Sequence, residues 1–343
     1  MKCTVKVVEL EGKLPPKLLE EYVLSVLRKR DPRVIVGPSI GEDAAIIDMG
    51  DRVLVVHSDP ITGAIENIGW FAVHIACNDV ATRGARPLWL LPVIMVPTGR
   101  VDIIKEMVED IRRAADEVGA TVIGGHTELT PGIGRPIISM TAIGEVKKNE
   151  FLTTSNCRPG DHVILTKGVA IEGTAIIAKE LEHVLKARLP SHIIEEGKKF
   201  MYKISVVKDA MIAKSVGGVR AMHDPTEGGI ACGLQELAIA SGLGIIAYED
   251  KMPISSVTKE ILRTINGDPL RTISSGSLLI VADPSRSIDI VNTLKKNGIV
   301  AEIIGEMVED RNTRLIYRVN GSTMSLKQPI EDELWRILRE ILY

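Results

Sequence analysis

The sequence has few cysteines and places none of them close together. No two have the spacing typical of a zinc site or a redox pair. They are interpreted as reduced structural thiols of a cytosolic protein. The four cysteines are Cys3, Cys77, Cys157 and Cys232.

Strong charge and long apolar runs are also missing. A formal net charge of -3 and a pI near 6.2 give no electrostatic basis for binding nucleic acid or an anionic membrane. No apolar run could span a bilayer, and the first residues, MKCTVKVVELEGKLPP, become charged before a signal-peptide core could form. The sequence predicts a cytoplasmic protein with no nucleic-acid or membrane partner. Glutamine occurs only at Gln235 and Gln328, a bias that resembles thermophile proteomes.

The length of 343 residues, with 45% apolar and 25% charged residues, predicts a soluble α/β protein of two domains. In the first half, hydrophobic periodicity predicts both strands and helices. They are a hairpin of Ala44 to Asp48 with Arg52 to Asp59, a helix from Ile68 to about Gly84, a strand from Pro87 to Val96, a helix from Asp102 to Val118, and strands at Thr121 to Ile123 and Ile137 to Glu145.

A polar stretch from Lys147 to Asp161 ends in a turn signature and separates the two halves. The predicted domains are therefore residues 1–155 and 156–343. The second half repeats the mixed pattern. Its predicted strands lie near His162 to Thr166, Val219 to His223 and Leu278 to Ala282, and its helices near Gly173 to Leu181, Val206 to Ser215, Gly228 to Ala240 and Glu331 to Leu342.

Acidic residues stand near predicted element ends at three places in the first domain. Asp43 precedes a strand, Asp59 follows one as the chain enters a loop, and Asn78-Asp79 lies late in a helix. Several carboxylates meeting at such ends suit magnesium with phosphates. Taken singly, Asp43 and Asp59 also fit a turn or a cap. Asp79 stands among small residues, where a charge is costly unless paired or bound to metal.

Glycine-rich segments occur in both predicted domains. Gly124-Gly125 follows a strand and Thr127 adds a hydroxyl, a pattern that suits an anion but also an ordinary tight turn. His126 stands between them, and a lone loop histidine is more often neither a ligand nor a base. In the second domain, Asp224 or Thr226 can cap a helix whose start at Gly228-Gly229 permits close approach of an anion; a capped helix without ligand fits equally. These residues indicate phosphate contacts from both domains and leave the reaction open.

The order of these segments resembles the superfamily of aminoimidazole ribonucleotide synthetase. This superfamily also includes selenophosphate synthetase, thiamine-monophosphate kinase and the hydrogenase maturation protein HypE. The resemblance runs from about Leu18 to about Gly305. The last two of its segments are most similar to the HypE branch. The segments are Gly41 to Ala45, Ser58-Asp59, Asn78 to Ala85, Gly124 to Thr127, Asp224 to Gly229 and Ser275 to Leu279.

The resemblance implies a PurM-like fold in which first-domain strands of two subunits form a dimeric β-barrel, next to a C-terminal α/β domain. It implies ATP and Mg²⁺ as cofactors and transfer of the γ-phosphoryl group to an oxygen or a selenide. By this resemblance Asp43, Asp59 and Asp79 are magnesium and phosphate ligands, with Asn78 beside them. The glycine-rich turns would hold the transferring group by backbone N–H donors.

Three departures from the family pattern affect this expectation. The family usually has Asp or Glu where this chain has His126, so a metal ligand is missing or moved to Glu128. The HypE branch usually has Arg where this chain has Glu227, which reverses a charge. HypE proteins end in a cysteine that receives a carbamoyl group, whereas this chain ends in an amphipathic helix closing on Tyr343. Maturation through a terminal thiocyanate is therefore not expected on this chain.

Three functions are compatible with the sequence. The first is an ATP-dependent enzyme that activates a carboxamide, carboxylate or phosphate oxygen on a small molecule. The second is a small-molecule kinase like the thiamine-phosphate member. The third is a catalytically silent nucleotide-binding homodimer, or an interaction protein related to hydrogenase maturation, with the C-terminal helix as a partner-binding element.

Overall fold

The computed structural model describes residue 14 and residues 16–27, 31–62 and 66–342. Cys3 and most of the N-terminal stretch considered above for a signal peptide lie outside the described residues. Within the described ranges, no helix combines the length and the apolarity that crossing a membrane requires. The first described element is a short helix, α1 (Pro16–Leu19), followed by a π-helical turn, Glu20–Leu24.

The first half folds around a seven-stranded mixed sheet. Its strands are β1 (Val34–Val36), β2 (Ala45–Asp48), β3 (Arg52–Ile61), β4 (Arg86–Pro97), β5 (Thr121–Val122), β6 (His126–Thr130) and β7 (Ile137–Lys147). The strand order is β1-β2-β3-β7-β4-β5, with β6 also paired to β4. The predicted hairpin is present as the antiparallel pair β2–β3. Strand β3 continues through Asp59 to Ile61, because it pairs with β7 along ten residues, so Asp59 lies within a strand rather than in the predicted loop.

Two helices cover this sheet, α2 (Ile68–Thr82) and α3 (Ile104–Val118). Every residue of α2 is buried, since the helix is mostly apolar and packs against the sheet, α3 and the second half of the chain. Helix α3 is amphipathic and buries only one face. Gly69 allows the two helices to approach closely: a Cβ there would lie 2.3 Å from the carbonyl oxygen of Met107.

The second half contains another seven-stranded sheet. Its strands are β8 (His162–Thr166), β9 (Val219–His223), β10 (Gly244–Tyr248), β11 (Leu278–Ala282), β12 (Ala301–Val308), β13 (Arg314–Tyr317) and β14 (Thr323–Ser325). The order is β14-β13-β10-β12-β8-β11-β9. Strand β11 lies inside the sheet and all five of its residues are buried, as its continuous apolar run predicts. The two sheets divide between Lys147 and His162, the segment that contains the predicted domain boundary.

Helices flank the second sheet and end the chain. They are α4 (Ile171–Glu180), α5 (Glu182–Leu185), α6 (Ser191–Lys198), α7 (Val207–Val216), α8 (Gly229–Ser241), α9 (Ser256–Thr264), α10 (Pro284–Lys296) and α11 (Glu333–Leu342). The terminal helix docks on its own subunit and buries Leu334 and Ile337. The mixed α/β fold of two parts predicted from the sequence is confirmed.

Polar contacts join the two halves at α2. The side-chain amide of Asn78 donates to the carbonyl oxygen of Ile204 at 2.9 Å and accepts from the backbone N–H of Val206 at 2.8 Å. The indole N–H of Trp70 donates to the carbonyl oxygen of Met201. These contacts fix α2 between the halves, and α2 carries Asp79 near its end.

Candidate active site

Three carboxylates from separate elements meet at the boundary between the two halves. Asp43 precedes β2, Asp79 lies near the end of α2, and Asp224 directly follows β9. Each offers an oxygen, and these oxygens lie within 4.8 Å of one another. Such a set of hard oxygen donors, drawn from three elements, is the kind of site that binds Mg²⁺.

The electrostatics of this carboxylate triad favour a bound cation. Asp224 is only 2% exposed, and neither of its carboxylate oxygens has a hydrogen-bond partner among the described residues. Burial raises the pKa of Asp224 well above its usual range, and the charges of Asp79 and Asp43 raise it further. A buried carboxylate that lacks partners and faces two others is costly unless a cation compensates it. The residues present therefore fit a magnesium ion.

A buried arginine holds the first carboxylate of the triad. Arg83 is fully buried just after α2, and its guanidinium donates to the carboxylates of Glu42 and Asp43. It also donates to the carbonyl oxygen of Met222, in β9, at 3.3 Å. Arg83 therefore links the loop before β2 to the second sheet and orients Asp43, since a guanidinium has a rigid planar geometry.

Two histidines complete the surroundings of the triad. His223 Nδ1 lies 2.8 Å from Asp43 Oδ1, and its Nε2 lies 2.8 Å from Glu236 Oε2. Although burial alone would lower the pKa of His223, the carboxylates of Asp43 and Glu236 raise it well above its usual value. His57 Nε2, from β3, lies 3.3 Å from Asp79 Oδ2. Neither these histidines nor Arg83 are among the site residues predicted from the sequence, where their only signal is their position inside the motifs.

Two other residues predicted for this site, Asp59 and Asn78, are not members of the triad. Asp59, predicted as a metal ligand, lies on β3 and does not belong to the triad, whose third member is Asp224. Both ends of the side-chain amide of Asn78 are bonded to the backbone of residues 204–206. Its observed contacts are thus structural, and its predicted part in nucleotide binding stays a prediction.

The first glycine-rich segment lies away from the triad's side of the sheet. Gly124 and Gly125 connect β5 to β6, on the far side of β7 from the β2–β3 pair. His126 and Thr127 begin β6 rather than lying in a loop. A cavity of about 580 Å³ lies against this segment and is lined by both glycines, His126 and Thr127. Phosphate binding by Gly124, Gly125 and Thr127 stays a prediction.

The second glycine-rich segment is packed against its own chain. The N–H of Gly228 donates to the carboxylate of Asp332 at 2.6 Å. Gly229 has φ +61°, and a Cβ there would lie 2.5 Å from the carbonyl oxygen of Thr272. The carbonyl of Thr226 accepts from the N–H of Gly229. These residues shape the start of α8 next to Asp224.

Comparison with known proteins agrees with this architecture. Residues 41–146 match the N-terminal domain, and residues 158–318 the C-terminal domain, of the family described as AIR synthase related protein. The two matches follow the division into two sheets. The chain belongs to the AIR synthase related family, and the resemblance predicted from the order of the motifs is confirmed.

The proteins to which this chain is similar include HypE. The chain is 28% identical over 337 residues to a protein of Methanocaldococcus jannaschii named for hydrogenase expression and formation, covering 95% of this chain and 97% of the relative. It is 29% identical over 251 residues to carbamoyl dehydratase HypE of Cupriavidus necator, covering 71% and 68%. A structure of the hydrogenase maturation protein HypE in complex with ATP is similar with a TM-score of 0.70 and 21% identity, covering 94% and 96%. At this identity the structural match establishes the fold.

Proposed function

We propose that the chain is an ATP- and magnesium-dependent enzyme that activates an oxygen of a small molecule by phosphoryl transfer. The oxygen belongs to a carboxamide, carboxylate or phosphate group. The observation that carries this proposal is the triad of Asp43, Asp79 and Asp224, in which the buried carboxylate of Asp224 has no hydrogen-bond partner among the residues that the structure describes. ATP use by family members, one of which is solved with ATP bound, supports the nucleotide.

In this proposal the triad residues hold Mg²⁺. When bound, this ion neutralises the negative charge that phosphoryl transfer develops on the phosphate oxygens. Arg83 and His223 keep the carboxylate of Asp43 in one orientation, so little reorganisation is needed during the reaction. The predicted phosphate contacts of Asp59, Thr226 and the glycine-rich segments belong to the same proposal.

A homodimer is part of the proposal. The edge of the first sheet leaves Val122 and Ile123 exposed, at 42% and 54%, and Leu129 on β6 at 44%. A second copy that closes a barrel against these strands would cover this apolar surface. Sedimentation equilibrium should then give twice the subunit mass of 37.3 kDa; a single subunit mass at assay concentration would remove the dimer from the proposal.

The test is calorimetric titration with a non-hydrolysable ATP analogue, with and without magnesium. We expect binding near one site per subunit that depends on magnesium. Asp79→Asn should abolish it, because the substitution removes one charge of the triad. The matched control is Asp289→Asn, which changes an exposed carboxylate that pairs with Arg286 on the surface of α10. It should bind as the wild type does.

The outcomes separate the candidate functions. Absence of binding by the folded wild type would refute the nucleotide-dependent enzyme and leave an interaction protein. If the analogue binds, ATP turnover with candidate substrates distinguishes an enzyme from a silent dimer. Release of inorganic phosphate fits oxygen activation, whereas a stable phosphorylated product indicates a kinase.

A further inference from the structure

Three side chains in contact connect the carboxylate triad to α8. Glu236 lies on α8 and His223 is the last residue of β9, so both belong to the second half of the chain, whereas Asp43 belongs to the first. His223 Nε2 lies 2.8 Å from Glu236 Oε2, and His223 Nδ1 lies 2.8 Å from Asp43 Oδ1. Because the two nitrogens belong to one rigid ring, the position of Glu236 determines where the ring meets Asp43.

All three side chains are shielded from water. His223 is 4% exposed and Glu236 is 9% exposed, and the side chain of Asp43 is 8% exposed. A buried carboxylate is costly unless it is paired, and the hydrogen bond with His223 pairs Glu236. Because little water reaches the ring, nothing replaces Glu236 when its carboxylate is removed, and the ring of His223 loses its fixed direction.

The two oxygens of the Asp43 carboxylate are held from different halves of the chain. Asp43 Oδ2 accepts from Thr82 Oγ1 at 3.1 Å and from the guanidinium of Arg83, both at the end of α2. Asp43 Oδ1 faces His223 of the second half. A carboxylate held at one oxygen can still turn about that oxygen, so the contact at Oδ1 completes its orientation. The orientation of this predicted metal ligand therefore depends on the second half through His223.

Helix α8 gives Glu236 a fixed position. Gly233, one turn earlier on the helix, allows a close approach to the residue that follows Asp224, since a Cβ at this glycine would lie 2.7 Å from Pro225 Cβ. The side-chain amide of Gln235 donates to two backbone carbonyl oxygens of the segment between β14 and α11. A helix held on two sides in this way keeps Glu236 next to the end of β9 and the triad.

We propose that Glu236 is a positioning residue of the magnesium site: through His223 it holds the carboxylate of Asp43 in the orientation that binds the ion. This inference rests on the proposed function and adds a residue to its site. Among the described residues, the one group of three ligand atoms within 4.8 Å of one another is the triad, which does not include Glu236. Residues that hold metal ligands in place typically contribute about 10- to 100-fold to metal affinity. We therefore expect loss of Glu236 to weaken magnesium binding by about tenfold.

The test is calorimetric titration of the full chain with the non-hydrolysable ATP analogue at a series of magnesium chloride concentrations. The measured quantity is the magnesium midpoint, the concentration at which half of the full nucleotide binding is reached. Glu236→Ala removes the carboxylate, whereas Glu236→Asp keeps the charge and withdraws it by one methylene group. His223→Gln and the double variant of Glu236→Ala with His223→Gln complete the set. Scanning calorimetry in EDTA shows which variants are folded.

The matched control is Glu249→Ala. Glu249 is a carboxylate of the second half that is as buried as Glu236, at 8% exposed, and it also pairs with a cationic side chain, Arg318, at 2.8 Å. It follows β10, which three strands separate from β9 in the sheet. Its loss therefore removes a buried ion pair of the same kind without touching the triad.

We expect the magnesium midpoint to rise about tenfold in Glu236→Ala and to rise in Glu236→Asp as well, because the position of the carboxylate is lost in both. The double variant should match His223→Gln alone, because the two substitutions break the same contact. Glu249→Ala should melt at a lower temperature than the wild type and keep its magnesium midpoint. If Glu236→Ala does not fold, Glu236→Asp decides the question.

Several results would overturn the inference. They are a wild-type midpoint in folded Glu236→Ala or in Glu236→Asp, a double variant weaker than His223→Gln by the full effect of Glu236→Ala, and an equal rise of the midpoint in Glu249→Ala. The proposed function stands in each of these cases, because the wild type still binds the ATP analogue with magnesium. Failure of the folded wild type to bind the analogue refutes the proposed function itself, and the inference with it.

Discussion

Replacing Asp224 by asparagine should stabilise the metal-free protein and destroy its response to magnesium and ATP. The ligand oxygens of Asp43, Asp79 and Asp224 lie within 4.8 Å of one another. At that separation and an effective dielectric constant of about 20, each pair of negative charges repels by about 3.5 kcal/mol. Arg83 and His223 offset part of this repulsion. The neutral amide can also donate to the remaining carboxylates, so no buried donor is left unpaired.

The expected net gain is on the order of 1–3 kcal/mol for the metal-free protein. A gain of this size raises Tm by roughly 2–5 °C, which scanning calorimetry in the presence of EDTA can measure. Saturating magnesium and ATP analogue should stabilise the wild type by about 2.7 kcal/mol at one hundred times Kd. They should leave the Asp224→Asn variant nearly unchanged, because one of its three metal ligands has lost its charge. The exposed control Asp289→Asn should behave as the wild type in both conditions.

The difference in stability between the wild type and Asp224→Asn should depend on pH. Because the pKa of Asp224 is raised in the folded state, its destabilising effect is absent below the unfolded value and grows as pH rises toward the folded value. The advantage of Asp224→Asn should therefore be large at pH 8 and should shrink near pH 4. A lower Tm for Asp224→Asn than for the wild type without metal would refute the interpretation of Asp224 as an uncompensated metal ligand. An equal rise in Tm of the variant and the wild type on adding magnesium and nucleotide would refute it as well.

Two further substitutions test how the site is held. Asn78→Ala should destabilise the protein by about 2–4 kcal/mol in calorimetry, because it leaves two buried backbone groups of residues 204–206 without partners; a change under 0.5 kcal/mol would show that Asn78 does not join the two halves. His223→Gln should remove stability that the wild type has at neutral pH. Because the pKa of His223 is raised, its stabilising charge is fully present below the unfolded value near 6.5 and is lost as pH rises through the folded value. The Tm difference between wild type and variant should therefore narrow from pH 7 to pH 10, and a constant difference would contradict the protonated state.

The predicted and the observed elements agree best where the element is buried. Strands β8, β9 and β11 match the predicted ranges, because each is a short apolar run between turn residues. Helix α11 begins at Glu333 rather than at Glu331, since Asp332 accepts from the N–H of Leu334 and starts the helix there. The limits of β3 were harder to predict: its pairing with β7 extends it past Asp59 and through Pro60, where local sequence predicts a loop.

The candidate site was predictable one residue at a time but not as an arrangement. Asp43 and Asp79 were predicted as metal ligands, and Asp224 was predicted to contact the nucleotide. Their meeting depends on how the second sheet docks on α2, which local periodicity does not encode. The same docking brings His223 to Asp43 across the two halves. A sequence pattern gives no sign of such a pairing between residues 180 positions apart.

The segment before α11 contacts the start of α8, next to the carboxylate triad. Asp332 accepts from the N–H of Gly228. Burial, together with the charges of Glu227 and Glu333, raises the pKa of Asp332 to about 7, although the backbone N–H groups of Leu334 and Gly228 lower it. The segment before α11 therefore shapes the start of α8, and this contact between residues about 100 positions apart could not be predicted from local sequence patterns.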